Sequence, residues 1–412
     1  MSRGSFLDKL LDGMTVEWVA LGDVAEYSPT RVDAAELNAN SFVGVDNLIA
    51  DKGGRVDASY LPNTARLTAY EPGDVLLGNI RPYLKKVWRA TSPGGCSGDV
   101  LVIRILRKCK RFVDSKFLYY LLSADDFFSY NMQHAKGAKM PRGDKAAILA
   151  YQIPLPCPDN PQKSLAIQAE IVRILDTFTA YTAELTAELT ARKKQYNYYR
   201  DQLLSFEEEA VEWKTLGEAA NIQRGASPRP IANYITDDEN GVPWIKIGDT
   251  SPGSKYVNST AQKVTLEGAE KSRILNEGDF IMSNSMSFGR PYILGIRGAI
   301  HDGWASISGF SETLNSDYLY HYLSSNSVQN YWAGKINSGS VSNLNADIIK
   351  TLPVPIPDLS VQENIASILD KFDALTNSIS EGLPREIELR QKQYEYYRDL
   401  LLSFPRPEEV AA

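Results

Sequence analysis

The sequence predicts a mixed α/β protein built as a tandem repeat, in which two similar α/β domains alternate with two long helices. The first observation is a helical segment written twice, RKKQYNYYRDQLLSF from Arg192 and RQKQYEYYRDLLLSF from Arg390, with twelve of fifteen positions identical. The second is a series of shorter motifs that recur in the same order in both halves. The third is the length of 412 residues, which exceeds what one ordinary hydrophobic core supports.

The shorter motifs extend the repeat over the whole chain. They are Trp18-x-x-Leu21-Gly22 with Trp213-x-x-Leu216-Gly217, Gly73-Asp74 with Gly278-Asp279, Arg81-Pro82-Tyr83 with Arg290-Pro291-Tyr292, FLYYLLS with YLYHYLS, and ILDTF with ILDKF. The first residues, FLDKLL from Phe6, resemble the end of the repeated helix, so residues 1–14 are expected to form a helical stub. A repeat without a natural beginning indicates two halves related by a pseudo-twofold axis.

Stripes of apolar residues at steps of three and four predict the long helices, over 160–206 and 360–404, with a short tail at 405–412. About 40 residues, at ~1.5 Å each, make a rod of roughly 60 Å. The first rod contains TAELTAEL, a four-residue unit written twice, which keeps the apolar stripe close to one face. The second contains Gly382 and Pro384, where we expect a kink or a short break. Two rods with matching stripes should pack together.

Short β-like runs predict mixed α/β domains over 15–156 and 212–357. These runs are FVGVDNL, DVLLG, KKVW and DVLVIRIL in the first domain, and PWIKIG, DFIMS, PYILGI and WASISGF in the second. One amphipathic helix follows in each, at 114–134 and 316–333. A segment with alternating prolines, IPLPCP or LPVPIP, then leads into the long helix.

The charge distribution indicates a nucleic-acid partner more than the net charge does. The whole chain carries −7, but residues 71–145 hold 14 Lys+Arg against 7 Asp+Glu, a local +7. The corresponding segment of the second half, 271–350, is balanced at 6 against 6. Three cysteines without a Cys-x-x-Cys pair favour a reducing cytoplasm over a disulfide framework or a zinc site. The N-terminus lacks the apolar core of a signal peptide.

Catalytic signatures are absent from the sequence. It has no phosphate-binding loop, no dinucleotide fingerprint, no Gly-x-Ser-x-Gly elbow, no His-Glu-x-x-His helix and no Asn/Asp-Pro-Pro-Tyr/Phe tetrapeptide. We therefore expect no catalytic residues and no metal site, and we interpret the two domains on rods as a measuring or docking device.

On these motifs, the chain resembles the specificity subunits of type I restriction–modification systems. The rod segments SLAIQAEIVRILD, TAELTAEL, RKKQYNYYRDQLLSF and PREIELRQKQYEYYRDLLLSF resemble the IC subgroup closely. The resemblance extends over the entire chain. The rods agree closely between the halves whereas the domains share only scattered motifs, as expected if the domains read different sequences.

The resemblance implies that each domain is a target recognition domain that reads one half of a bipartite, asymmetric site in double-stranded DNA. It implies an antiparallel helical spacer that sets the gap between the half-sites and docks two modification (methyltransferase) subunits. Those partners carry the S-adenosylmethionine site and methylate adenine, and restriction subunits add ATP- and Mg-dependent translocation and cleavage. This chain is then expected to hold no cofactor of its own, to be inactive alone and to act in the cytoplasm.

Candidate DNA-binding residues lie in and around the repeated Arg-Pro-Tyr tripeptide, which we expect to form a loop between two strands in both domains. A proline-stiffened loop can present arginine to guanine or to a phosphate, and the asparagine upstream can pair with adenine. The candidates are Asn79, Arg81, Tyr83, Lys85, Lys139 and Arg142 in the first domain, and Arg224, Arg229, Lys246, Asn284, Arg290, Tyr292, Ser340 and Asn343 in the second. Arg200 and Arg398 are expected on the exposed sides of the rods, in contact with the modification subunits.

The residues alone leave other interpretations open. The chain is alternatively a two-headed scaffold that binds proteins, or a subunit of a combined restriction–methylation enzyme with cryptic catalysis. Each Arg-Pro-Tyr loop is alternatively a plain hairpin whose arginine pairs with a nearby acid.

Overall fold

The computed structural model describes residues 6–251, 253–284, 289–337, 344–378 and 381–406. Its contacts divide the chain into two compact units. The first comprises Met1–Tyr181 with Arg390–Ala412, and the second comprises Thr182–Leu389. Each unit thus combines one globular domain with segments of the long helices. In the ranges just given, no helix has both the length and the apolarity that crossing a bilayer requires.

The described part of the first unit contains ten strands, and a short helix precedes them. The strands are β1 (Val16–Ala20), β2 (Ala25–Tyr27), β3 (Arg31–Asp33), β4 (Phe42–Val43), β5 (Arg66–Tyr70), β6 (Val75–Gly78), β7 (Val87–Arg89), β8 (Gly94–Cys96), β9 (Val100–Ile105) and β10 (Gln152–Pro156). The helices are α1 (Phe6–Leu11), α2 (Leu21–Val24), α3 (Ser115–Ser123), α4 (Asp125–Gln133), α5 (Lys145–Ala150) and α6 (Pro161–Leu203), of which the last continues into the second unit.

The central sheet of the first unit has the strand order β2-β9-β6-β7, with all neighbours antiparallel. A second sheet has the order β3-β5-β8-β4, and β1 pairs with β10 separately. Val75 and Leu77 of β6 face a core that includes α3, whereas Leu76 between them faces a core shared with the second sheet. A strand covered on both faces is apolar at every position, which explains the continuous run DVLLG.

The second unit repeats this frame with additional edge strands. Its strands are β11 (Glu212–Thr215), β12 (Asn221–Arg224), β13 (Ile235–Thr236), β14 (Val242–Ile245), β15 (Tyr256–Val257), β16 (Lys263–Val264), β17 (Arg273–Leu275), β18 (Phe280–Ser283), β19 (Pro291–Leu294), β20 (Gly298–Ile300), β21 (Trp304–Ser308) and β22 (Pro353–Ile356). Its helices are α7 (Leu216–Ala219), α8 (Leu266–Glu270), α9 (Ser316–Leu323), α10 (Asn326–Asn337), α11 (Ala346–Lys350), α12 (Leu359–Asn377) and α13 (Gly382–Leu402).

The sheets of the second unit correspond to those of the first. The order β12-β21-β18-β19-β15 repeats β2-β9-β6-β7 and adds one parallel strand at the edge. The order β13-β16-β14-β20-β17 contains the counterpart of β4-β8-β5. The predicted strands in DVLLG, DVLVIRIL, DFIMS and WASISGF are confirmed as β6, β9, β18 and β21. The mixed α/β repeat is therefore the fold of the chain.

The proline-alternating segments form strands rather than plain connections. β10 pairs antiparallel with β1, and β22 pairs in the same way with β11. Each pair is only two strands wide. Proline is tolerated at such edges because its missing N–H can face away from the partner strand. The tryptophan of the repeated Trp-x-x-Leu-Gly motif lies on β1 or β11, the strand that pairs with the proline-containing strand of the same domain.

The prediction of a single amphipathic helix in each domain is wrong. The predicted segment is divided into two helices in both domains, α3 and α4 in the first and α9 and α10 in the second. Ala124 is extended, with φ −70° and ψ 149°, and separates α3 from α4. In the second domain α9 ends before Ser324, and the hydroxyl of Ser325 accepts a hydrogen bond from the backbone N–H of Val328. Serine and aspartate at these points bind nearby backbone groups and favour helix ends.

A buried glutamine attaches a long helix to the domain that precedes it. Gln168 of α6 accepts from the backbone N–H of Asp114 at 2.8 Å and donates to the carbonyl of Phe112 at 2.7 Å. Gln362 of α12 accepts from the backbone N–H of Asn315 at 2.8 Å in the same way. Both side chains are fully buried, so the bonds fix the helix against the loop that precedes α3 or α9.

The two long helices differ as the sequence predicts. The first is the continuous helix α6 of 43 residues. The second is broken: α12 ends at Asn377 and α13 begins at Gly382, which has φ +74°. Pro384 lies in the first turn of α13, where its missing N–H removes no helical hydrogen bond. The expected break is therefore confirmed.

The helix segments pack together within each unit. In the first unit, Phe178 of α6 stacks on Tyr397 of α13 at 5.4 Å, and Tyr181 faces Arg390. The partner numbers fall as the α6 numbers rise, so these two segments are antiparallel. In the second unit, Tyr196 of α6 stacks on Phe372 of α12 at 6.3 Å. Aromatic side chains of the stripes therefore form the contact, as the matching patterns indicate.

Candidate nucleic-acid interface

In the first domain, the loop after β6 and the loop before α5 form one surface, here called the first loop cluster (residues 79–85 and 136–143). The backbone N–H of Arg81 donates to the carbonyl of Pro141 at 2.7 Å. Ile80 forms a β-bridge with Arg142, and the N–H of Gly143 donates to the carbonyl of Asn79. The structure thus brings together candidates that lie about 60 positions apart in the sequence.

The side chains of this cluster suit a polyanion. Arg81 is exposed on a left-handed backbone with φ +53°, and within the described ranges its guanidinium makes no ion pair. Lys139 and Tyr83 are also exposed. Arg142 pairs with Asp99 at 3.3 Å. Exposed basic side chains beside an aromatic ring can contact phosphates and base edges.

Two candidates of the first domain occupy less accessible positions. Lys85 points to Asp125 at 2.6 Å, where Lys52 and Arg398 also bind. Burial alone would raise the pKa of Asp125, but these cations outweigh it and hold the pKa far below its usual range. Asn79 is only 8% exposed, and its side-chain oxygen makes no hydrogen bond within the described residues. These positions favour roles in holding the loop rather than in reading a base.

The second Arg-Pro-Tyr tripeptide does not form the expected loop. Pro291 and Tyr292 belong to β19, and Tyr292 pairs with Ile281 of β18. In the first domain the same pairing position, opposite Leu76, belongs to Trp88. The structural counterpart of Tyr292 is therefore Trp88 and not Tyr83, and the expectation is wrong for the second domain.

The physical reason is the different distance from the tripeptide to the next strand. The tripeptide begins at the third residue after β6 but at the seventh after β18, so its proline in the second domain becomes the first residue of β19, where no ladder bond needs its N–H. Eight residues separate β6 from β7, and there the tripeptide begins a 3₁₀ turn. Tyr292 is consequently 4% exposed and lies edge-on to Trp304 at 6.0 Å in the core.

Arg290 and Asn284 lie on either side of the loop between β18 and β19. Arg290 packs over the ring of Tyr292 at 5.4 Å and lines a cavity together with Arg200 of α6. The N–H of Asn284 donates to Gly303, in the place where Asn79 donates to Asp99. Its side-chain oxygen is buried without a protein partner among the described residues.

A different set of candidates converges in the second domain, here called the second cluster (Arg224, Arg229, Lys246, His301 and Asp302). Arg224 donates to the carbonyl of Asp302 at 3.1 Å, and Arg229 lies 3.5 Å from its carboxylate. Burial alone would raise the pKa of Asp302, but a hydrogen bond from Ser227 and the charges of His301 and both arginines lower it. Lys246 directly follows Ile245, whose carbonyl accepts from the backbone N–H of His301, and its ammonium donates to Gln262 at 2.8 Å.

An aspartate occupies a similar position in both clusters. Asp99 directly precedes β9, and Asp302 lies two residues before β21, the strand that corresponds to β9. Each acid holds an exposed arginine, Arg142 or Arg229. The sequence motifs did not reveal this correspondence, because the paired arginines come from unrelated positions. Ser340 and Asn343, the remaining candidates, lie outside the described residues.

The expected exposure of Arg200 and Arg398 is wrong. They are 5% and 2% exposed, respectively. Arg398 binds Asp125 and Asp399, at 3.0 and 2.7 Å, and Arg200 packs over the ring of Tyr196. The prediction failed because a charged residue at a helix surface is ordinarily exposed, and the sequence does not show the domain that covers it.

The large apolar side chains exposed on the repeated helix segments are tyrosines instead. Tyr198 and Tyr396, at the same place in the two copies, are 62% and 65% exposed. Each lies edge-on to the tyrosine directly after it, at 5.5 and 5.4 Å. Their spacing from the buried Tyr196 and the partly buried Tyr394 places them on another helix face, which is the signal that the sequence offered. Among the described residues, no group of three His, Cys, Asp or Glu side chains is placed to hold a metal ion.

Comparison with known proteins settles the family. The model of the type I restriction modification DNA specificity domain matches residues 92–193 and 208–389, one match in each half. The chain belongs to the type I restriction–modification specificity subunits. As such a subunit, it is 39% identical to the EcoR124I/EcoR124II specificity subunit of Escherichia coli over the full length of both chains.

Other relatives cover almost all of this specificity subunit. The EcoprrI specificity subunit of Escherichia coli is 32% identical and covers 92% of this chain and 93% of its own. Two solved structures share the fold. One, from a study of complex assembly and conformational transition of the type I R-M system, has a TM-score of 0.62 at 19% identity, covering 94% of this chain and 97% of its own. The S subunit of M. genitalium has a TM-score of 0.57 at 13% identity, covering 96% and 98%.

Proposed function

We propose that this specificity subunit reads a bipartite, asymmetric site in double-stranded DNA, with one half-site bound by each target recognition domain. The observation that carries the proposal is the pair of domains on one shared frame with different polar clusters. The first loop cluster presents Arg81, Lys139 and Arg142, whereas the second cluster presents Arg224, Arg229 and Lys246. A common scaffold with different reading side chains fits two different half-sites.

The long helices are proposed to form the antiparallel spacer that sets the gap between the half-sites and docks two modification subunits. A helix of 43 residues without interruption supports the role of a ruler. The repeat supports two copies of one partner, because the same exposed tyrosine occurs in both copies of the helix segment. Restriction subunits that translocate and cleave DNA with ATP and Mg would join this assembly.

The chemistry is proposed to reside in the partners. The modification subunits would bind S-adenosylmethionine and methylate adenine, and this chain would act without a cofactor of its own. The specificity subunit would act in the cytoplasm, where its DNA target lies.

Methylome sequencing tests the proposal in cells with and without this gene, with the modification subunit present in both. We expect methylated adenines in two fixed half-sites separated by a fixed gap, and their loss without the gene. Methylation that persists without the gene, or a single continuous site, would overturn the proposal. Methyl transfer by the purified chain alone would favour the combined enzyme, and the absence of any DNA binding would favour a protein scaffold.

A further inference from the structure

A cavity of about 330 Å³ opens in the second unit beside α6 and α12. Its wall contains two arginines, Arg200 of α6 and Arg290 before β19. Tyr196, Tyr320 and Ser324 contribute further polar atoms, and Asp373 of α12 is the one acid among the lining residues. Every lining residue belongs to the second unit.

The positive charges of the two arginines in this cavity have no close carboxylate to balance them. Arg200 is almost fully buried, and its nearest carboxylate is that of the adjacent Asp201 at 3.4 Å, a long contact for an ion pair. Arg290 makes no ion pair within the described residues. The carboxylate of Asp373 accepts a hydrogen bond from Asn377 at 2.8 Å and lies beyond ion-pair distance of both arginines. A buried cation without a close anion costs free energy.

The corresponding place in the first unit is filled by a carboxylate. Arg398 is the repeat counterpart of Arg200, and its Nη2 lies 3.0 Å from Asp125 Oδ2. Lys85 reaches the other oxygen of the same carboxylate at 2.6 Å. Lys85 and Arg290 both lie at the end of the hairpin connection, two residues before β7 and one residue before β19, although the strand register places Lys86 opposite Arg290. One cation from the long helix and one from the hairpin therefore bind a single oxyanion.

The acid is missing from the second copy, whereas one cation from the long helix and one from the hairpin remain. Aligning FLYYLLSAD with YLYHYLSSN places Asn326 opposite Asp125. The amide of Asn326 donates to Asp201 at 3.1 Å and carries no charge. The second unit thus retains a binding arrangement for an oxyanion without supplying the oxyanion.

We propose that the cavity between Arg200 and Arg290 binds a small oxyanion, a phosphate or a carboxylate, in the place that the Asp125 carboxylate takes in the first unit. Two guanidinium groups offer paired N–H donors whose geometry matches such an anion. The hydroxyls of Tyr320 and Ser324 are further donors in the wall. The proposed oxyanion site does not depend on DNA recognition. It is supported by the comparison with Asp125 in the first unit and by the two arginines of the cavity.

The first test uses the full chain and inorganic phosphate. Thermal unfolding and calorimetric titration are measured in sodium phosphate and in sodium chloride of equal ionic strength. We expect phosphate to raise the Tm and to bind at one site per chain. Arg290→Gln should weaken binding about tenfold or more, since a hydrogen bond to a charged group contributes at least that factor.

Arg297→Gln is the matched control, because Arg297 is exposed in the same unit and is not part of the cavity wall. It removes the same charge and should leave phosphate binding unchanged. Asp373→Asn should strengthen binding, because it removes the acid from the wall. The proposal fails if phosphate has no more effect than chloride, or if the Arg290 and Arg297 variants respond alike.

A reciprocal variant and the assembled complex complete the test. Asp125→Asn should lower the Tm in chloride and create a second phosphate site, because it leaves Lys52 and Lys85 without an acid and Arg398 with Asp399 alone. Unchanged stoichiometry in a folded variant would contradict the correspondence of the two places.

The titration is then repeated after assembly with the modification subunit. Loss of phosphate binding identifies an acidic side chain of that partner as the oxyanion, and retained binding identifies a free ion.

Discussion

Asp370 of α12 lies 2.8 Å from Nε2 of His321 in α9. His321 is fully buried, and its other ring nitrogen lies 3.0 Å from the hydroxyl of Tyr196 in α6. In the first unit the corresponding acid, Asp176, accepts from Tyr120, the counterpart of His321, at 2.7 Å. The aspartate of the repeated Ile-Leu-Asp motif therefore ties a long helix to a domain helix in both units, through different partners.

Replacing this acid should destabilise the second unit. Asp370 also binds Lys255 at 2.5 Å, so Asp370→Asn leaves the buried imidazole with a weaker acceptor and the Lys255 ammonium with one carboxylate, that of Asp317. We expect a loss of about 1–2 kcal/mol in the free energy of unfolding, measured by urea denaturation. Asp347→Asn is the control, because that carboxylate is 89% exposed and should cost less than about 0.5 kcal/mol. Equal losses in both variants would contradict the assignment.

The same acid predicts a pH dependence. Burial alone would raise the pKa of Asp370, but His321 and Lys255 outweigh it and lower the pKa below its usual value. A depressed folded pKa stabilises the protein fully above the unfolded pKa of about 3.9, and the contribution is lost as the pH falls further. The stability difference between the native chain and Asp370→Asn should therefore shrink from pH 7 to pH 3. A difference that stays constant over this range would show that the carboxylate charge is not the cause.

The two clusters should act on different half-sites. Arg81→Ala is expected to weaken recognition of one half-site by about 1–3 kcal/mol, and Arg224→Ala to weaken the other by a similar amount. Binding of the assembled complex to DNA with one half-site mutated at a time measures both effects. Arg290→Ala in the same assay distinguishes two roles for this arginine. The sequence predicts that it reads bases, whereas the structure places it in the cavity wall. Equal loss at both half-sites would indicate a structural role.

Docking of the modification subunits should depend on the exposed tyrosines. Truncating Tyr198 and Tyr396 together to alanine is expected to abolish co-purification of those subunits. A tyrosine at the centre of an interface can contribute roughly 2 kcal/mol or more to the binding free energy. The Tm of the chain should not change, because neither side chain is buried. Leu266→Ala, an exposed apolar residue of the second domain, is the control. Full assembly of the double variant would rule this surface out.

The Thr-Ala-Glu-Leu unit should set the gap length. α6 continues through both copies of this unit, and the hydroxyls of Thr186 and Thr190 each bond the carbonyl four residues earlier. One more copy after Leu189 adds about 6 Å and rotates the rest of the helix by roughly 40°. That rotation matches about one base pair of B-DNA, whose turn holds about ten. Methylome sequencing should show unchanged half-sites and a gap longer by about one base pair, two at most.

A single alanine inserted at the same place is the contrast. It rotates the helix by roughly 100° and should abolish function, because the segment beyond the insertion turns its apolar stripe away from its partner. An unchanged gap in the four-residue variant would show that the helix is not the ruler. Full activity of the alanine variant would lead to the same conclusion.

Local patterns in the sequence predicted the elements whose cause is local. Continuous apolar runs indicated β6 and β18, and Gly382 with Pro384 indicated the break between α12 and α13. The family followed from the repeated helix segments. The domain boundaries drawn from the sequence stay predictions, as do the DNA-reading roles of the candidate residues.

Features that depend on distant partners were not predictable. The Arg-Pro-Tyr repeat suggested equivalent loops, but strand register is set by pairing across the sheet, and the tripeptide lies four residues later after β18 than after β6, which places Tyr292 in the core. The burial of Arg398 depends on Asp125, which lies 273 positions earlier in the chain. No local pattern connects these two residues.

The division of the chain has a consequence for how new specificities arise. The second unit is one uninterrupted stretch, Thr182–Leu389, whose two ends fall inside long-helix segments. Genetic exchange of that stretch between related genes would deliver a complete core and leave the contacts of the other core intact. Near-identical helix sequences lie at residues 192–206, shortly after its first residue, and at 390–404, directly after its last, so homologous recombination has matching tracts near both ends. Under the proposed function, such an exchange would replace one half-site in a single event and leave the opposite half-site unchanged.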